Sequence, residues 1–321
     1  MARKDMERLV RKPRSMHLAV MEVVAHIYHI QPVLAQAGAD RAWLSTEFHL
    51  EIADWRMFAE QTAARPTDLT KSIPHKPTHL GFCDASGLRA GGVWLDPSCL
   101  GKYLVWHHLC PADIVTNLVS SQSKEGTITN SDLELSALVL HEATLIAEVP
   151  DARLDTTRSG SNNTLTVSWS RKEASTINTV VADLLHICMI HSRKFFINPY
   201  VFYHPGIDNL MAYETSRLFE LSDTSLIFHM STAYPQPHSS WEISLPPPDL
   251  ISCVISALRR EPCEQELYKM ITRRSYTRSG ATSTPPSRSI RLSKIHPYLR
   301  SRYSKSTGTA SDMPSIPSNV D

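Results

Sequence analysis

Phe82-Cys83-Asp84-Ala85-Ser86-Gly87 sets an acid at the end of a short run of alternating apolar residues, just before small residues that turn the chain. Leu80 and Phe82 supply the period-two alternation of a half-buried strand. An acid in that position has two uses. It can cap its own turn, or it can project a carboxylate beyond the sheet, where hard cations are held. An aspartic-protease lobe wants Asp-Thr/Ser-Gly, and Ala85 breaks that spacing.

Working outward, His79 to Asp84, Ala90 to Leu95 and Lys102 to His107 predict a three-strand meander, with Gly and Asp clustered between the runs. Ser131 to Ala147 is apolar nearly all round, which predicts a buried helix. Ile177, Val180, Val181, Leu184, Leu185 and Cys188 recur at helical spacing and predict a second helix to Ile190. Tyr200 to Tyr203 reads as a strand and Asp208 to Phe219 as a helix. Strands first, then helix, strand, helix, predicts an α/β domain over 78–220 with a mixed sheet.

The flanks differ in composition. Residues 1–77 read as a helical arm, with one helix from Ser15 to Gln36 and another carrying Phe48, Ile52, Trp55 and Phe58. Residues 221–272 read as an irregular arm broken by Pro235, Pro237 and Pro246 to Pro248, with a helix from Asp249 to Arg260. Beyond 273 the chain is rich in Ser, Thr, Pro and Arg and is expected to be disordered. From residue 256 onward 12 basic residues face 5 acidic ones, so this end is locally basic.

Charge and cysteine usage exclude several classes. Thirty-three Lys and Arg against 32 Asp and Glu give a net charge of +1, which excludes a polybasic protein acting by bulk charge. The six cysteines are scattered without a Cys-x-x-Cys pair, so a zinc ribbon is excluded and free thiols in a reducing compartment are expected. No apolar run of membrane-spanning length and no secretory signal occurs, so the expected location is cytoplasmic or nuclear.

Three further segments carry chemistry. Thr127-Ile128-Thr129-Asn130-Ser131-Asp132-Leu133-Glu134 puts Glu134 in the first turn of a helix, either as half of a capping box with Ser131 or as a carboxylate facing Asp84. Ser161-Asn162-Asn163-Thr164 follows. Tyr203-His204-Pro205-Gly206-Ile207-Asp208-Asn209, continuing through Ala212-Tyr213-Glu214-Thr215-Ser216-Arg217, is the last.

Taken in order, these segments resemble the ribonuclease H domain of long-terminal-repeat and DIRS-type retrotransposon polyproteins, over about residues 79–219. That pattern is strand-Asp-Ala-Ser, a helix with Glu, Ser-Asp-Asn-Thr, then His-x-Pro-Gly-x-x-Asn-x-x-Ala-Asp-x-x-Ser-Arg. Residues 1 to about 70 resemble the thumb and connection that follow a reverse-transcriptase palm. The resemblance implies a five-stranded mixed sheet flanked by helices. It also implies four acids holding two Mg²⁺ (or Mn²⁺) ions that hydrolyse the RNA strand of an RNA–DNA hybrid.

Residue by residue, Asp84 matches the first acid and Glu134 the second. The third falls on Asn162, which keeps an oxygen and loses the charge. The fourth falls on Tyr213; Glu214 lies next door, but one helical position turns a side chain by about 100°. His204 sits one place late for the family's loop histidine. The resemblance therefore implies metal ligands at Asp84, Glu134 and Asn162, with Glu214 a poor substitute and cations held weakly if at all. No adjacent Asp-Asp pair occurs, so the palm's metal signature is absent and a piece of a decayed element is expected. The implied partners are nucleic acid, as hybrid or single strand, and ancestrally the rest of a reverse-transcriptase polyprotein. The rival expectations are a non-catalytic nucleic-acid-binding scaffold and a non-functional relic.

Other constellations carry less. His26 and His29 share a helix face without a third ligand. Arg153, Arg158, Arg171, Lys172, Arg193 and Lys194 could meet phosphates. Trp94, Trp106 and Trp169 could stack on bases, with core packing the favoured role.

Overall fold

A computed structural model of the chain describes residues 2–16, scattered positions between 41 and 63, and residues 77–95, 102–121, 123–148, 156–172, 179–195, 197–218, 220–236 and 240–261. Most of the expected 15–36 helix, His26, His29, Phe58, Arg153, Cys99, Cys263 and the basic tail lie outside these residues.

Helix α1 (Arg3–Met16) buries Met6 and Val10, one turn apart, against Phe48. Trp55 touches both this small cluster and the main core, which ties the arm to the domain.

The meander forms as the alternation predicts. Strands β1 (His79–Ala85), β2 (Arg89–Trp94) and β3 (Tyr103–Leu109) run antiparallel, with Asp84 opposite Gly91 and Gly92 opposite Trp106. Ser86 closes the first turn: its hydroxyl accepts from the backbone N–H of Arg89 at 3.0 Å, and its own N–H donates to the Arg89 carbonyl at 2.8 Å. A short helix α2 (Ala112–Thr116) leads towards α3 (Asn130–Glu148). Every side chain of α3 from Asp132 to Ile146 is buried, the polar Asp132, Glu134, Ser136, His141, Glu142 and Thr144 among them.

After α3 the chain returns to the sheet as β4 (Thr156–Ser161), parallel to β1. Helices α4 (Thr164–Lys172) and α5 (Thr179–Phe195) then carry it across to β5 (Asn198–Tyr203), parallel to β4. Helix α6 (Leu210–Arg217) packs on the opposite face, over β1 and β2.

The sheet has six strands rather than the expected five, in the order β5-β4-β1-β2-β3-β6. The sixth comes from the segment expected to be an irregular arm. Residues 223–259 form α7 (Asp223–Ala233), β6 (Trp241–Ile243) and α8 (Pro248–Arg259). Strand β6 pairs parallel to β3, with Tyr103 opposite Trp241. Helix α7 lays Leu226 and Met230 on Val93, Val105 and Trp241. Helix α8 packs its apolar face on α5 and α3. Ser222 caps α7 by accepting from the Ser225 N–H, and Pro248 opens α8, where its missing N–H costs nothing. The prolines that suggested irregularity mark element boundaries instead.

The core is asymmetric in chemistry as well as in cover. Under α3, His141 stacks on Trp94 with ring centroids 4.0 Å apart and accepts at Nδ1 from the Trp106 indole N–H at 2.9 Å. Both tryptophans are fully buried, which settles their role as packing. Trp169 is partly buried against the same core. Cys83 and Cys110 are free thiols.

Candidate functional site at the end of strand β1

Asp84 is the penultimate residue of β1 and only 1% exposed. The strand's exit and the turn at Ser86 aim its carboxylate at three elements. Oδ1 accepts from the Asn162 side-chain N–H at 3.1 Å, just beyond β4. Oδ2 accepts from the Ser216 hydroxyl at 2.5 Å, on α6. The Arg217 guanidinium lies 3.8 Å from the same oxygen. Burial raises the Asp84 pKa, while Ser216, Arg217 and Asn162 each hold the charged form and limit the rise.

Glu134 is the fifth residue of α3 and 3% exposed. The expected Ser131–Glu134 capping box does not form. Thr129 and Asp132 make the reciprocal pair instead: the Asp132 carboxylate accepts from the Thr129 N–H at 2.8 Å, and the Thr129 hydroxyl accepts from the Asp132 N–H at 3.3 Å. Ser131 is taken by Asn163, whose amide donates to its hydroxyl at 3.1 Å. The helix start is thus satisfied without Glu134, and its carboxylate turns to Asp84. Burial, then the Asp84 charge, pushes the Glu134 pKa up to about 8, against the pull of the Ala85 backbone N–H. Its Oε2 has no hydrogen-bond partner among the described residues. A buried, orphaned carboxylate oxygen beside a second buried carboxylate is costly unless something neutralises it. A proton does so at neutral pH, and a cation would have to displace that proton.

The other expected site residues divide. Asn162 is brought to the cluster, presenting its N–H rather than its oxygen to Asp84. Tyr213, where the fourth acid is expected, lies one turn before Ser216 and Arg217 on the same helix face. Its carbonyl accepts from the Ser216 hydroxyl at 2.9 Å, and the Arg217 guanidinium sits 4.9 Å over its ring. Glu214 is turned away: its Oε2 meets His229 Nε2 at 2.7 Å on α7, so it does not take the place expected of a fourth acid. His204 packs its ring on Phe82 at 4.6 Å instead of bonding the carboxylates.

Three positioning residues escaped the sequence reading. Asn209 is 2% exposed and donates to the Cys83 carbonyl at 3.1 Å, pinning the start of α6 to β1. Ser86 donates to the Ser216 carbonyl at 2.8 Å, pinning the end of that helix to the first turn. Ser216 joins them by bonding Asp84 itself. Their signal was present in the spacing Pro205-Gly206-x-x-Asn209 and in Ser216-Arg217, to which no role had been given.

Two buried carboxylates with an orphaned oxygen fit one divalent cation through hard oxygen ligands. They do not fit a pair of cations, because position 162 offers a neutral amide already used as a donor and position 213 offers a phenol. Among the described residues no group of three His, Cys, Asp or Glu side chains gathers into a metal cluster. Among them, too, no helix is long and apolar enough to cross a membrane.

No family model, no curated protein and no solved structure matches the chain.

Proposed function

We propose that this chain is a retroelement-derived ribonuclease H-like domain that engages RNA–DNA hybrid and has lost most of its metal-dependent hydrolysis. One observation carries the reading. The motif positions of the resemblance, spread from residue 84 to residue 217, converge on one carboxylate: Asp84 receives Asn162, Ser216 and Arg217, and shares its buried environment with Glu134. Unrelated turn-capping acids would have no reason to collect partners from the corresponding segment each time.

The impairment follows from charge. Four carboxylates would balance two divalent cations, and only Asp84 and Glu134 remain in place. Bound cations would supply neutralisation of phosphate charge and activation of water. What this chain's residues do is hold one cation position at Asp84 and Glu134, orient Asp84 through Ser216, and offer Arg217 to a phosphate at the rim.

The test is RNA-strand cleavage of a labelled RNA–DNA hybrid with Mg²⁺ and then Mn²⁺, together with hybrid binding in the absence of either. The wild type is expected to bind hybrid and cleave near background. The double variant Asn162→Asp, Tyr213→Asp is expected to gain cation-dependent cleavage that Asp84→Asn removes. Wild-type cleavage lost in Asp84→Asn would overturn the impairment. Absence of hybrid binding in every variant would overturn the reading itself.

A further inference from the structure

Among the described residues, helices α6 and α7 cover one face of the sheet over β1, β2, β3 and β6, where Val93 and Val105 are sealed by Leu226 and Met230. The β4 and β5 half of that face has a different character. The register sets Arg158 beside Tyr200 in one row, and Phe82, Gly160 and Phe202 together in the next. Phe82 and Phe202 meet edge to face at 6.1 Å, and His204, two residues further along, lies 4.6 Å from Phe82 and 6.0 Å from Phe202.

Gly160 is what lets the two rings close over β4. A Cβ there would come within 2.6 Å of the Phe82 ring and 3.1 Å of Phe202. Arg158 is exposed, and its guanidinium stacks 4.4 Å above the Phe202 ring. Tyr200 is 50% exposed, and Arg171 reaches round the sheet edge to lie 5.4 Å from its ring. Neither β4 nor β5 carries an acidic residue.

We propose that this half-face is a stacking platform for unpaired bases of a single-stranded polynucleotide. The chemistry is complementary in both parts. Aromatic and guanidinium planes offer surface to any base, and Arg158 and Arg171 offer positive charge to the phosphates between bases. A duplex hides its base faces within its own stack, so the surface selects for strands that are not paired. It adjoins the Asp84 cluster, with Phe82 and Gly160 two residues before Asp84 and Asn162 in the chain, but its function does not depend on cleavage there.

The experiment compares fluorescence anisotropy of a labelled RNA of about 20 nucleotides with that of the same RNA annealed to DNA, on the full chain. The variants are Arg158→Ala, Tyr200→Ala and Phe202→Leu, each checked for folding by circular dichroism. Single-strand affinity is expected to fall about tenfold in Phe202→Leu and in Arg158→Ala, with a smaller fall for hybrid. A strand carrying 2-aminopurine is expected to lose fluorescence on binding wild type and to regain it in Phe202→Leu. If Phe202→Leu does not fold, the two exposed variants carry the test. Failure of the wild type to bind single strand, or an equal loss for both probes, would overturn the platform. Hybrid binding would still stand in the first case. Single-strand binding without hybrid binding would uphold the platform and overturn the hybrid reading.

Discussion

Replacing Glu142 with Gln should make the protein more stable at pH 8 and leave it almost unchanged at pH 5. Glu142 is fully buried between α3 and β4, where it accepts from the Thr157 hydroxyl at 2.9 Å and the Ser159 hydroxyl at 2.6 Å. Burial pushes its pKa from the ordinary 4.5 to about 7, despite the pull of those two hydroxyls. Between those values the folded protein keeps a proton that the unfolded chain has released, so stability falls as pH rises through the window. At about 1.4 kcal/mol for each tenfold change, the loss is about 3 kcal/mol once pH exceeds 7. Glutamine keeps the shape and removes the titration. Either hydroxyl can reverse its role and accept from the new amide, so the cost at pH 5 stays near zero. Urea unfolding of both proteins at pH 5, 6, 7 and 8 gives the gap between them at each pH. Taking that difference cancels every other titrating group. A gap that stays constant from pH 5 to 8 would refute the reasoning.

The remaining expectations concern other buried contacts. His141 and His191 are each held down to about 3 by burial, so they stay neutral in the fold while the unfolded chain takes up protons below about 6.5. Stability should therefore fall as pH drops from 6.5 towards 3, and His191→Phe should flatten that limb in the same denaturation series. Gly81→Ala would drive a Cβ into the His141 imidazole and to within 2.6 Å of Trp94, and should cost about 3 kcal/mol or more in Tm-derived stability. Asp132→Ala removes half of the cap of α3 and should cost about 1 kcal/mol by chemical denaturation.

Legibility in the sequence followed the polarity of what is buried. The meander and α5 bury apolar side chains at regular spacing, so their periods show plainly, and α3 shows instead as a long segment apolar nearly all round. Strand β4 does not: Thr156-Thr157-Arg158-Ser159-Gly160-Ser161 shows no apolar period, because its inward residues Thr157 and Ser159 are buried by bonding Glu142 rather than by being apolar. Strand β6 is three residues long, too short for a period, and its neighbouring prolines mimic a linker. At the site, Asp84, Glu134 and Asn162 were legible as neighbours only through the order of motifs. Glu214 illustrates the limit of nearness in sequence: one helical position turned it from Asp84 to His229. The choice of Thr129 and Asp132 over Ser131 and Glu134 as the cap depended on which carboxylate the sheet needed, a tertiary matter.

The pairing of β6 with β3 bears on how this protein can be produced. A fragment ending at residue 220, the boundary that composition suggests, would strip the partner from Tyr103 to Val105 and lift Trp241, 3% exposed, off Tyr103. Bare strand borders of that kind recruit other chains, and such fragments tend to precipitate or exchange segments. A shortened version meant for crystallisation or interaction screening should therefore run through Arg259, so that β6 and the α8 cover over α5 travel with the sheet.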